Sequence, residues 1–252
     1  HAKCILIVRE EAGVIRRYVH LATGNYNSVT ARSYEDIGFF TCEEAVGRDA
    51  TQLFNYLTGY GREPKYEHLL VAPHQLKTEI IRLIENEATF GADGRITLKL
   101  NAVQDPQVIE ALYAASSAGV KIDLVVRGIC CVRAGVPGMS ENITVRSVLG
   151  RYLEHSRIYR FAHGYDGSEP LHLIGSADLM IRNLAGRVET LVRLTHPKHR
   201  AWLDTALGFL LDDANVHYRL GADNSWTQVG EHHTPSDAQR QLFEWVVATQ
   251  SR

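Results

Sequence analysis

The sequence has no long apolar run, few cysteines and almost no excess of either charge. No apolar stretch approaches the ~18 residues of a membrane-spanning helix. Only four residues are cysteine, none in CxxC spacing, which argues against a thiolate metal site and a disulfide scaffold. Cys130 and Cys131 are adjacent in an apolar run and are predicted to be buried free thiols in a reducing compartment.

The balance of charge gives no overall reason to expect binding to nucleic acid or to an anionic membrane. Lys and Arg total 27, Asp and Glu total 29, and the formal net charge is −2. A chain with so little net charge has no global attraction for nucleic acid or for an anionic membrane. Any polyanionic ligand must therefore be held by a local cluster of Arg, Lys and His.

The sequence contains enough apolar residues to form a core, and its pattern of strands and helices is typical of an α/β protein. Hydrophobic residues make up 45% of the 252 residues, which is sufficient for one large domain or two modest ones. Cys4–Val8 and Arg17–Leu21 flank the turn sequence EEAG and predict a β-hairpin. A helix is predicted from Cys42 to Leu57, with Thr41 as its N-cap.

The pattern changes after the turn-rich GYGREPK, and we place a domain boundary there, between residues 1–62 and 63–252. Strand–helix–strand–helix–strand follows and predicts a parallel sheet with right-handed crossovers. Those elements are Glu67–Ala72, Gln75–Ala88, Arg95–Asn101, Pro106–Ser117 and Val120–Val126. Later strands are predicted at Ile143–Leu149, His155–Ala162, Leu171–Ile174 and Arg187–Leu194, helices near 198–213 and 236–250, and a polar loop over 221–237.

One arrangement of chemical groups occurs twice. His1 and Lys3 precede an apolar strand, and the turn Gly24–Asn27 follows the next strand; His155 and Arg157 precede a similar pair, which ends in Gly175–Asp178. Residues i and i+2 of a strand point to the same face, roughly 6.5–7 Å apart. Each histidine is therefore expected beside a cation.

This pairing suits chemistry on phosphate. An imidazole can attack phosphorus or move protons, and a cation stabilises the charge on phosphoryl oxygens. Two copies that face each other predict a two-histidine site for phosphoryl transfer. The residues alone name no substrate, and they leave open the interpretation of His1 as the remnant of a purification tag.

Longer runs surround both copies. They are HAKCILIVRE, IRRYVHLATGNYNSVTARSYEDIGFFT, KLNAVQDPQVIEALYAASSAGVKIDLVVRGICC, LEHSRIYRF and GSADLMIRNLAGRVE. Together they resemble the long-form bacterial polyphosphate kinases over most of residues 1–195. The resemblance implies an α/β fold with two phospholipase-D-like domains, the first truncated at its amino-terminal side. The lack of an initiator methionine agrees with a fragment of a longer protein.

The resemblance also implies a mechanism, in which the γ-phosphate of ATP is transferred reversibly to inorganic polyphosphate through a phosphohistidine, with Mg²⁺. His1 aligns with the phosphorylated histidine and so is not a tag remnant. His155 aligns with the second essential histidine, for proton handling or for holding the γ-phosphate. Tyr34 falls where the family has a nucleotide-contacting tyrosine.

The remaining implied groups are cations. Arg127 falls where the family has a phosphate-contacting arginine, and it ends a predicted parallel strand, where ligands gather. Its planar guanidinium suits phosphate. Lys3 and Arg157 are expected to neutralise phosphate oxygens. The resemblance implies that the Mg²⁺ ligands lie upstream, with none in this chain.

Partners and location follow from the same resemblance. ATP or ADP and polyphosphate are the expected ligands, nucleic acid is not expected, and the full-length protein is expected to be a homo-oligomer, cytoplasmic or membrane-peripheral. Two alternatives stay open. One is a phospholipase-D-like phosphodiesterase, although Arg157 stands where those enzymes use Lys; the other is a non-catalytic polyphosphate- or nucleotide-binding module, against which both histidines argue. His232 and His233 are expected in a solvated loop.

Overall fold

The computed structural model describes residues 1–60, 65–165, 167, 169–230 and 237–250. Two short 3₁₀ turns lie at Thr30–Arg32 and Gly91–Asp93. The helices and strands are β1 (Cys4–Glu11), β2 (Val14–Ala22), β3 (Tyr34–Glu35), β4 (Gly38–Thr41), α1 (Glu44–Leu57), β5 (Leu69–Ala72), α2 (Leu76–Ala88), β6 (Arg95–Leu100), α3 (Pro106–Ser117), β7 (Lys121–Val126), β8 (Ile143–Ser147), β9 (Leu153–Glu154), β10 (Ile158–Phe161), β11 (Leu171–Gly175), α4 (Ile181–Gly186), β12 (Glu189–Arg193), α5 (Pro197–Leu211), β13 (His217–Leu220), β14 (Trp226–Val229) and α6 (Ala238–Gln250). In the part of the chain that is described, no helix has the length and apolar character to cross a membrane.

The predicted hairpin forms, and β4 extends it to a three-stranded antiparallel sheet in the order β1-β2-β4. Ala12 and Gly13 make its turn, both with positive φ (51° and 79°), a region that glycine enters without steric cost. The predicted N-cap of α1 is wrong. Helix α1 begins at Glu44, and the Thr41 hydroxyl instead accepts a hydrogen bond from the Glu43 amide in the turn before it.

The main sheet has nine strands in the order β14-β13-β8-β7-β6-β10-β11-β12-β5. The predicted parallel crossover is confirmed for β6–α3–β7, and β8 extends the parallel set. It is wrong for β5, which pairs antiparallel with β12 at the far edge. Three later strands, β10 to β12, separate β5 from β6, because pairing order depends on contacts that a local pattern does not contain. The predicted α/β class is confirmed.

Both faces of this sheet are covered. In β5, Leu70 and Ala72 face the larger core, which lies against α2 and α3, whereas Leu69 and Val71 face a second core. The second core includes Val46 of α1 as well as residues of the hairpin and α5. The alternation of a strand thus places residues 1–60 and α5 on the opposite side of the sheet from α2 and α3.

Two other predictions differ from the structure. The supposed loop at 221–237 contains β14, which pairs with β13, while His232 and His233 lie outside the described residues. The four cysteines are free as predicted, but Cys130 is only half-buried and Cys131 is exposed. The reason is that β7 ends at Val126 and the chain then turns out of the sheet.

Candidate active site

Both H-x-cation segments lie just before a strand rather than on it. β1 starts at Cys4 and β10 at Ile158, so the prediction of a strand from His155 is wrong by three residues. Each segment is tied to the other half of the chain. The Ala2 amide donates to the Val188 carbonyl (2.8 Å), and the His155 amide donates to the Glu35 carbonyl (3.2 Å).

The first half-site consists of His1, Lys3 and Glu189. The Nδ1 atom of His1 lies 2.9 Å from Oε1 of Glu189 and 3.0 Å from Nζ of Lys3. Glu189 is the first residue of β12 and is fully buried. Its Oε1 atom accepts a hydrogen bond of 2.8 Å from the side-chain Nδ2 of Asn183. Burial raises the pKa of the Glu189 carboxyl above its usual value.

The second half-site repeats this plan with different residues. The Nδ1 atom of His155 lies 2.7 Å from Oδ1 of Asp36, and Thr23 donates its hydroxyl to the same oxygen at 2.9 Å. Nη1 of Arg157 lies 3.2 Å from Nε2 of His155 and donates to the His155 carbonyl at 2.7 Å. The ring of Tyr34 is tilted against the imidazole, with centroids 4.9 Å apart.

The two histidines receive their carboxylates crosswise. Asp36, from the amino-terminal part, contacts His155, and Glu189, from the large sheet, contacts His1. A carboxylate at Nδ1 favours the tautomer with hydrogen on Nδ1 and the lone pair on Nε2. In His155 that lone pair faces Nη1 of Arg157. Neither histidine therefore has its orienting carboxylate within its own part of the chain.

The glycine of each repeated turn allows this approach. A Cβ added at Gly24 would collide with the Asp36 carboxylate, and one added at Gly175 would collide with the carbonyl of Thr190, next to Glu189. Gly24 is thus needed because the partner of His155 passes over it, and Gly175 because the backbone of β12 does. The other turn residues are structural in the first copy, where Asn27 accepts from the Val29 and Thr30 amides.

A buried network joins Arg127 to the second half-site. Asp178 accepts two hydrogen bonds from the Arg157 guanidinium (3.0 and 3.3 Å) and one from the Asn101 amide (2.8 Å). The Asn101 side-chain oxygen in turn accepts from Nε of Arg127 at 3.0 Å. Arg157 is only 3% exposed, so its charge is balanced largely by Asp178 rather than held free for a ligand.

A hydrogen bond links the second half-site to the turn of the first copy. Nη1 of Arg157 donates to the carbonyl of Thr23, in the first repeated turn, at 3.0 Å. Burial lowers the pKa of Lys3 to about 8, and the charges that act on its ammonium include Glu189 of its own half-site and Arg157 and Asp36 of the other. Charged groups of both half-sites thus act on the ammonium of Lys3.

The structure adds residues that sequence reasoning missed. Asp36, Glu189 and Asn101 had no signal in local spacing, although all three lie within the runs that carry the family resemblance, in SYED, GRVE and KLN. No metal site accompanies them: among the residues described, no group of three or more His, Cys, Asp or Glu side chains is placed to hold a metal ion.

Fold and site together define an α/β protein with a duplicated histidine–cation–carboxylate centre. Residues 1–63 match Polyphosphate kinase C-terminal domain 1, and residues 69–241 match Polyphosphate kinase C-terminal domain 2. The chain belongs to the polyphosphate kinase family.

Individual relatives agree with this assignment. The chain is 50% identical over 248 residues to the polyphosphate kinase of Mycobacterium avium (strain 104), covering 97% of this chain and 33% of that protein. It is 51% identical over 231 residues to the enzyme of Synechocystis (90% and 31%). The crystal structure of polyphosphate kinase from Porphyromonas gingivalis superimposes with a TM-score of 0.90 at 35% identity, covering 99% of this chain and 39% of that one. The chain thus spans about a third of the length of its curated relatives.

Proposed function

We propose that the full-length protein is a polyphosphate kinase in which His1 carries the phosphate between ATP and polyphosphate. The observation that carries this proposal is the pair of histidines, each with a carboxylate at Nδ1 and a cation at i+2 that contacts its ring. Such a centre presents nucleophilic nitrogen and positive charge together. Phosphoryl transfer needs little beyond positioning and charge neutralisation.

The proposed reaction has two displacements. Nε2 of His1 attacks the γ-phosphorus of ATP, the bond to the β,γ-bridging oxygen breaks, and ADP leaves with that electron pair. A terminal oxygen of polyphosphate then attacks the same phosphorus, and the P–N bond breaks to restore the imidazole. Glu189 holds the Nδ1 proton of His1 throughout, and Lys3 offsets the charge on the transferred group.

The other predicted residues are given supporting roles. We propose that His155, oriented by Asp36, manages protons or holds the γ-phosphate, and that Tyr34 contacts the nucleotide beside it. Arg127 supplies positive charge to phosphate oxygens, and Arg157, whose charge Asp178 largely balances, contributes through its contact with His155. The family's kinase activity needs a divalent metal, which we propose to be Mg²⁺ held by donors outside this chain.

Organisation and partners belong to the same proposal. We propose a domain boundary between residues 62 and 63, which the separate family matches to 1–63 and 69–241 support. ATP, ADP and polyphosphate are the proposed ligands of the full-length protein. A homo-oligomer in the cytoplasm or at the membrane periphery is its proposed setting.

The test is retention of label from γ-³²P-ATP by the full-length protein. Wild type should yield acid-labile, alkali-stable labelled protein that loses label on addition of ADP or polyphosphate. His1→Ala should abolish labelling, whereas His74→Ala, an exposed histidine packed on Tyr56, should label normally. Labelling of His1→Ala at the wild-type level would overturn the nucleophile. Polyphosphate binding without labelling or ADP-dependent ATP formation would indicate a non-catalytic module.

A further inference from the structure

A buried charged cluster lies directly behind the second half-site, and the proposed chemistry does not use it. Lys99, on β6, is 3% exposed. Its Nζ atom lies 2.7 Å from Oε2 of Glu154 and 3.0 Å from Oε2 of Glu35, and it donates to the Ser156 hydroxyl at 2.7 Å. Three separate segments therefore converge on one ammonium group.

The two carboxylates of this cluster are neighbours by strand register. β3 pairs in parallel with β9, and Glu35 is the register partner of Glu154. Like charges at directly opposed positions oppose pairing, and burial increases the cost. Burial alone lowers the pKa of Lys99, but Glu154 and Glu35 raise it above its usual value, so the amine stays charged. Its charge is what makes the β3–β9 pairing tolerable.

The residues next to this cluster in sequence are the groups of the site. Tyr34 and Asp36 flank Glu35, and His155 lies between Glu154 and Ser156. The His155 amide also donates to the carbonyl of Glu35. A shift of β3 against β9 would therefore change the 2.7 Å contact between His155 and Asp36 directly.

We propose that Lys99 is a positioning residue that holds β3 against β9 and thereby keeps Asp36 on Nδ1 of His155. Helix α6 joins the same arrangement. Gln239 donates to Oε1 of Glu154 (2.7 Å) and accepts from the Tyr152 amide (2.9 Å). The placement of His155 thus depends on a chain of contacts from β6 to α6. The catalytic meaning of this inference rests on the proposed function, but its structural content does not.

The test compares Lys99→Met with Lys99→Met/Glu154→Gln in the full-length protein. Hydrogen exchange by mass spectrometry reads the β3–β9 pairing without reference to activity, because the Leu153 and His155 amides donate across it. Lys99→Met should speed exchange in the peptide covering 151–156, and the double variant, with one fewer buried charge, should restore protection. Lys77→Met, which removes a lysine bonded to Asp105 at 2.7 Å, should leave that peptide unchanged.

Activity gives the second readout. Lys99→Met should lower kcat on the order of 10²-fold, as expected when a reacting group is misplaced by about 1 Å, with a much smaller change in KM.

The outcomes separate the two proposals. Unchanged exchange in Lys99→Met overturns the positioning role, whatever the activity. Faster exchange that the double variant reverses supports it, even if no labelled protein forms and the proposed function fails. If Lys99→Met does not fold, Lys99→Gln replaces it: the positive charge between Glu35 and Glu154 is still lost, and exchange in 151–156 should still rise. Wild-type exchange in Lys99→Gln would overturn the role in that case.

Discussion

In the first half-site the histidine side chain is 35% exposed and its carboxylate partner is fully buried, whereas in the second the histidine side chain is 10% exposed and its partner is 23% exposed. In the first half-site the histidine is thus more exposed than its carboxylate, and in the second the carboxylate is more exposed than its histidine. An open imidazole backed by a fixed, buried Glu189 suits a group that must reach a phosphorus atom. An enclosed imidazole between Tyr34 and Arg157 suits a group that stays in place.

The cations differ in a parallel way. Arg157 donates to Asp178 through two nitrogens and to two backbone carbonyls through a third, and its guanidinium keeps its charge at any working pH. Lys3 is a compact ammonium whose pKa burial lowers to about 8. The second half-site therefore has a permanent charge in a rigid frame, and the first has a charge that titrates near working pH.

Substitution of the two carboxylates that contact the histidines should have the largest effect on the difference between the half-sites. Glu189→Gln should lower the rate of phosphoenzyme formation on the order of 10²-fold or more, because a carboxamide can donate to Nδ1 of His1 and favour the tautomer with hydrogen on Nε2. Asp36→Asn should reduce steady-state turnover by a similar factor while slowing label formation less. Rapid-quench labelling beside steady-state rates measures both.

The molecule offers a matched control for these variants. Glu87 contacts Nδ1 of His163 at 2.8 Å, the same type of pair outside the proposed site, so Glu87→Gln should leave labelling per folded molecule unchanged. Equal slowing of label formation by Glu189→Gln and Asp36→Asn would show that the two histidines do not have separate roles.

Local pattern predicted much of the fold. The hairpin, the β6–α3–β7 unit and helix α2, predicted at Gln75–Ala88, all follow from periodicity within a dozen residues. The place of β5 at the sheet edge did not, because strand order is decided by pairs such as Leu70 with Leu191. β14 was missed because its polar, exposed residues carry no apolar alternation.

The candidate site divides in the same way. The H-x-cation repeats are local and were visible in the sequence. The carboxylates are separated from their histidines by 119 and 188 positions in the chain, so no spacing rule connects them. Arg157 was expected to face phosphate, but its partner Asp178 is visible only once the second turn is seen to fold over it.

Substitution of the glycine in each repeated turn should have a smaller effect, and a different one in each half-site. The Cβ of Gly24→Ala meets the Asp36 side chain, including its Cβ, so Asp36 must shift and turnover should fall about tenfold. The Cβ of Gly175→Ala meets backbone of Thr190 and Leu191 and should cost roughly 1–3 kcal/mol of unfolding free energy.

Thermal melts and turnover together measure this pair. Gly208→Ala serves as the control, because no atom lies within 4 Å of its added Cβ in helix α5 and alanine there should stabilise by about 0.5–1 kcal/mol. Unchanged turnover in Gly24→Ala would show that Asp36 does not need its observed position.

The smallest predicted difference between the half-sites comes from the titration of Lys3, since Arg157 occupies the equivalent position in the second half-site. Because its pKa in the folded protein is about 8, Lys3 loses its charge as the pH rises past that value, and label formation should fall several-fold between pH 7 and pH 9. Lys3→Arg gives the first half-site the permanent charge of the second. It should change the rate at pH 7 by no more than about threefold and remove the alkaline decline.

Deprotonation of Lys3 should change stability and activity in opposite directions, so unfolding cannot account for the alkaline loss of activity. A lysine with a folded-state pKa lowered from 10.5 to about 8 binds fewer protons in the folded state than in the unfolded state across that window, so its contribution to stability increases from pH 8 to pH 10.5. Titration of Lys3 thus lowers activity while it favours folding, and melts at pH 7 and pH 9 check that the protein stays folded. An alkaline decline that persists in Lys3→Arg would assign it to a different group and leave the two cations equivalent.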